Sequence, residues 1–178
     1  MSLHQSTKEL LVYLQKNPGL RAQIRARPDK TLLYAGDFFR KIWQELSDLK
    51  RTNANLADKE ILPDVLARIH CPGQPFPDLL AWANHLTHLL PKDESFIVWR
   101  ALSGIFAANA VGAVSFYIGS NVSKENTDEH DKKVFAVTEI SVLARNPNID
   151  GVTRDILAYY QRCIQTKQTN MNFGFIAG

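Results

Sequence analysis

The sequence is poor in cysteine. Cys71 and Cys163 are its only two among 178 residues, far apart and outside any CxxC. That excludes a disulfide framework and a cysteine-rich zinc module, and a reduced thiol pair is the expected state. Near Met1 the sequence lacks a basic stretch followed by an apolar core, so no secretory leader is read there and a cytoplasmic location is expected. GxSxG, the P-loop and the glycine-rich dinucleotide turn are missing as well, so no motif points to a hydrolase, an NTPase or a Rossmann enzyme. Long apolar stretches are also scarce. One stands out, Phe96 to Ile118, FIVWRALSGIFAANAVGAVSFYI, with Arg100 as its one charge.

What is present suits a folded chain. With 45% hydrophobic and 22% charged residues the composition is that of a globular domain, and the length allows a substantial core. The net charge of +3 is unevenly spread. Met1–Thr52 carries ten Lys+Arg against five Asp+Glu, and the remainder eleven against thirteen. The first third can therefore face an acidic partner, although the excess is too small to predict nucleic acid binding.

Read as one helix, the apolar stretch sets Ala101, Gly104, Ala108, Gly112, Ser115 and Gly119 at spacings of three or four, a strip of small residues along one side. The other sides carry Val98, Leu102, Phe106, Val111 and Val114. A helix apolar all round is buried, so the expectation is an unbroken central helix over 93–118 with neighbours on every side. Gly104, Ala108 and Gly112 would be its helix contacts, and leucine at Gly104 or Gly112 should overpack the core. The absence of ionised groups over Ala101–Ser123 also fits a membrane span. A single Leu and Asn109 near the middle argue against it, so a membrane is not an expected partner.

Elsewhere the spacing predicts helices from about Ser6 to Lys16, from Pro18 to Arg27 with Arg21 and Arg25 on one side, and from Thr31 to Arg51. A local alternative makes Thr31–Tyr34 a strand stopped by Gly36. A helix over Asp58–Ile69 should kink or restart at Pro63. CPGQPFP (Cys71–Pro77) is a loop, and Asp78 opens a helix to Leu90. Thr127–Arg145 reads as a helix, with Val134–Val142 as an alternating strand in the second reading, and Gly151–Lys167 is a last helix.

For chemistry, His70, Cys71, His85 and His88 are of types that bind metals, but their spacing matches no common zinc pattern, and surface histidines are the expected outcome. Neither a metal nor another cofactor is expected. On the strand reading of Val134–Leu143, the order strand, Pro147–Gly151 turn and helix resembles the strand-turn-helix of GNAT acyltransferases, whose turn amides bind the CoA diphosphate. The resemblance implies an acyl-CoA-dependent acyltransferase. The chain departs from that family at Asp150, where the family usually has Arg, and at Thr153 and Asp155, where it has glycines. Two aspartates there would repel a diphosphate.

The sequence thus predicts one all-α domain over 1–178, a bundle of about six to eight helices around a buried central helix. Residues 1–52 form its basic third and 53–178 its body. The alternative is an α+β fold with a hairpin at about 113–143. The leading functional expectation is a non-enzymatic protein-binding or regulatory domain, with Arg21, Arg25, Phe38, Trp43, Pro75 and Phe76 as the partner surface; the partner is another protein, which includes a second copy of the chain. The acyltransferase is the second reading and a helical pocket for an apolar ligand the third.

Overall fold

The computed structural model describes residues 3–35, 39–118, 138–165 and 174–176, with side chains left undescribed at 35, 39–43, 118, 163–165 and 174–176. In chain order the elements are α1 (Gln5–Lys16), α2 (Pro18–Gln23), β1 (Thr31–Ala35), α3 (Phe39–Thr52), α4 (Ala54–Ala57), α5 (Leu62–Leu66), α6 (Leu79–Leu89), α7 (Lys92–Ala108), β2 (Val114–Ile118), α8 (Ile140–Ala144), α9 (Gly151–Gln165) and β3 (Gly174–Ile176). The chain is predominantly helical, as its periodicity predicts. It is not all-α, because β1, β2 and β3 form a sheet in that order.

Local chemistry explains most boundaries. Pro18 opens α2, where its missing N–H costs nothing, and Pro63 sits in the first turn of α5; the helix expected over Asp58–Ile69 is confined to Leu62–Leu66, because Glu60 is held in an extended bridge to Thr31. The Asp78 carboxylate accepts from the Ala81 amide at 2.8 Å and caps α6. Asp93 and Glu94 occupy the first turn of α7, where they suit the helix dipole. Glu94 also accepts from the Thr7 hydroxyl at 3.2 Å, which ties α1 to α7.

β1 and β2 pair in parallel, with Leu33 opposite Phe116. A parallel pair needs a long crossover, here the helices α3 to α7. β3 joins the other side of β2 antiparallel. The sheet separates two apolar clusters. Leu33, Val114 and Phe116 face the larger one, with Leu10, Trp82, Leu102, Phe106 and Tyr160. Leu32 and Tyr117 join Leu46, Leu56 and Ile61 in the smaller.

The expected unbroken helix over 93–118 does not form. α7 stops at Ala108, the backbone turns through Gly112 at φ +77, and Val114 begins an extended strand. The reason lies in groups brought from elsewhere. The Asn146 side-chain amide donates to the carbonyls of Ala107 (3.0 Å), Ala108 (3.1 Å) and Ala110 (2.8 Å), satisfying the end of α7. Gly112 exchanges backbone hydrogen bonds with Asn148 and Asp150, at 2.8 and 3.0 Å. A β-carbon on Gly112 would lie 2.0 Å from Asp29 Oδ1, so glycine is required by both its dihedral and its neighbour.

The α+β alternative is corrected in its pairing. β2 is a strand, but its partners are β1 and β3, and 138–144 is helical. The same helix removes the strand over 138–143 on which the acyltransferase resemblance rests. Residues 119–137, which include the first part of the segment expected to be helical over Thr127–Arg145, lie outside those described.

Candidate functional site

The segment after α2 is bound on several sides by its neighbours. Asn109, in the turn that ends α7, donates its side-chain amide to the carbonyls of Arg21 (2.9 Å) and Ile24 (3.1 Å). Asp29, in the left-handed region at φ 65, donates its amide to the Val111 carbonyl at 2.9 Å and accepts from the Ala113 amide at 2.7 Å. The Lys59 ammonium donates to the Asp29 carbonyl at 3.0 Å, and the Glu60 amide to the Lys30 carbonyl at 2.7 Å. The irregular course of 109–113 therefore holds residues 24–30 in one shape.

Glu60 completes the arrangement from below. Its side chain is 8% exposed, whereas those of its partners Arg27 and Arg68 are 65% and 50% exposed. One carboxylate oxygen accepts from the Arg27 amide at 2.7 Å and from Arg27 Nε at 3.2 Å. The other accepts from Arg68 Nη1. Burial alone would raise the Glu60 pKa, but the Arg27 amide and the two guanidinium groups outweigh it and keep the carboxyl below its ordinary range. Arg68 Nη2 also reaches the Arg25 carbonyl at 3.4 Å, and Arg27 Nη2 the Asp58 carbonyl at 3.3 Å. A buried carboxylate thus fixes two arginines whose charged ends remain in water.

Beside them is a cleft of about 380 Å³, lined by Gln23, Arg25, Arg27 and Arg68 and by Ala26, Pro28 and Ile69. Among the described residues, Glu60 is the only carboxylate that pairs with any of these three arginines, an excess of two positive charges. Among the described residues Arg25 pairs with no carboxylate. Such a cleft can bind an anion through guanidinium forks, with little reorganisation of the loop that carries them.

Of the residues predicted from sequence, Arg25 lines this cleft and Arg21 precedes it on α2. Helix α2 ends at Gln23, so Arg25 belongs to the loop and not to the helix face expected for it. Phe38 lies outside the described residues, as does the side chain of Trp43. Pro75 is exposed, while Phe76 is partly buried and stacked on Trp82 with ring centroids 5.6 Å apart and planes 11° apart. His85 lies against the same Phe76 ring at 5.2 Å. His70 Nδ1 is 3.2 Å from the Pro77 carbonyl, and His88 Nδ1 2.7 Å from that of Asn84. Cys71 is buried, and burial, with the Asp78 charge adding to it, pushes its thiol up to about 11. Among the described residues no group of three or more His, Cys, Asp or Glu is placed to hold a metal ion.

Gly104 faces Thr138, whose methyl would lie 3.4 Å from an added β-carbon; Ala108 is exposed, and Gly112 is in the turn beyond α7. Sequence reasoning missed Arg27, Arg68 and Glu60. The run RARP at 25–28 was a local signal for Arg27. Nothing near Arg68 announces that it folds against a loop 43 residues away. No protein-family model, curated protein or solved structure matches the chain. Among the described residues no helix is long and apolar enough to cross a membrane.

Proposed function

We propose that the protein is a non-enzymatic binding domain that docks an acidic segment of another protein on the cleft formed by Arg25, Arg27 and Arg68, with Arg21 at its approach. One observation carries this reading: two arginines oriented by a buried carboxylate, and a third that pairs with no carboxylate among the described residues, line one cleft. Three arginines that line one cleft carry like charges, whose mutual repulsion an incoming anion relieves. The basic excess of the first third of the chain acts in the same direction. The proposal is of a domain that recognises a partner, with regulation as its use.

Fluorescence anisotropy with a labelled peptide rich in Glu and Asp, and a Gln/Asn copy as control, tests it. The acidic peptide should bind and the copy should not. Arg25→Glu should weaken binding by about tenfold or more, and affinity should fall as salt is raised. Because Arg25 contributes only its backbone to described contacts, circular dichroism of that variant should match the wild type. Equal binding of both peptides, or an affinity unchanged in a folded Arg25→Glu protein, would remove the reading.

A further inference from the structure

We infer that the group seated in the arginine cleft is a phosphate monoester on the partner segment, a phosphoserine or phosphothreonine, in preference to a carboxylate. The inference rests on the binding reading above and narrows it. Three arginines line the cleft, and Glu60 matches one of their three positive charges. A carboxylate brings one charge and two oxygens, which would leave one guanidinium uncompensated. A phosphate monoester brings about two negative charges at neutral pH and three acceptor oxygens. It therefore matches the cleft in both charge and number of acceptors.

The held geometry adds to this. Arg27 donates Nε to Glu60 and Nη2 to the Asp58 carbonyl, and Arg68 donates Nη1 to Glu60 and Nη2 to the Arg25 carbonyl, so both guanidinium planes are set before a ligand arrives. Planar, pre-set forks discriminate a tetrahedral oxyanion better than lysines on flexible stems. At about 380 Å³ the cleft holds a phosphorylated side chain with part of its backbone. The other charges beside the loop are already engaged: Lys30 with Asp58, and Lys59 with the Asp29 carbonyl.

The test uses three acidic peptides identical except for Ser, Glu or phosphoserine at the central position, titrated into the full chain at pH 7.5 and pH 5. The phosphopeptide should bind at least about tenfold more tightly than the Glu peptide at pH 7.5. That preference should shrink at pH 5, where a phosphate with a second pKa of about 6 takes up a proton. Arginine keeps its charge over this interval, and Glu60, held below its ordinary range by Arg27 and Arg68, keeps its own. Arg25→Lys, which keeps the charge and loses the fork, should remove most of the phosphate preference while the Glu peptide still binds. Equal affinity for the Glu and phosphoserine peptides at both pH values would overturn the phosphate assignment and leave the acidic-partner reading standing. Binding of none of the three would end both. Tighter binding to phosphoinositide vesicles than to the phosphopeptide would overturn the protein source of the phosphate.

Discussion

Gly112 shows how one residue decides the course of the chain. Its dihedral of φ +77 disfavours any β-carbon, and the carboxylate of Asp29 occupies the space that carbon would need. Gly112→Ala is expected to destabilise the protein by about 2–4 kcal/mol, the sum of left-handed strain and the overlap. Gly104→Ala, by contrast, meets only the Thr138 methyl at contact distance and gains up to about 1 kcal/mol of helix propensity. It should remain within about 1 kcal/mol of the wild type. Urea denaturation of both variants checks this, and equal effects would contradict the distinction. Individual residues were legible in the sequence where their partner is close by. Asp78 was identified as a cap because the amide it accepts lies three residues on. Glu60 was not identified, since its partners arrive from 33 residues before and eight after.

At the scale of elements, α7 and β2 are the instructive pair. Apolar and small residues run on past Ala108 without a change of pattern, so periodicity alone continues the helix. The break comes from Asn146 and Asp29, the latter 84 residues from the amide it binds. The first five residues of the Thr31–Arg51 seam form a strand in the fold because β2 lies beside them. The seam itself reappears in α3. α8 meets α7 through a buried acid at its start: Glu139 lies within hydrogen-bonding reach of Ser103, and burial raises its pKa to about 8 from 4.5. The folded state therefore keeps this proton over an interval in which the unfolded chain has lost it. The Glu139 contribution to stability should be full below about pH 4.5 and be lost as pH rises toward about 8, by up to about 1.4 kcal/mol per unit. Glu139→Gln should flatten that fall in thermal melts taken from pH 5 to 8. An unchanged slope would show that Glu139 is not the group responsible.

For the whole molecule, the basic excess of the first third pointed toward an acidic partner, and the fold gathers part of it, Arg25 and Arg27, with Arg68 from the body of the chain. The helical character was legible because it rests on local spacing. The cleft was not, because it depends on three chain segments meeting around Glu60 and on the turn at 109–113 that supports them. Phe76, placed on the partner surface from sequence, stacks its ring on Trp82. The most direct measurement is a titration of the acidic peptide into ¹⁵N-labelled protein, following backbone amides and arginine Nε–Hε signals. The account predicts that the largest shifts fall on residues 24–30, on Glu60 and on the side chains of Arg25, Arg27 and Arg68. Shifts gathered instead around Phe76 and His85, or along α9, would contradict it.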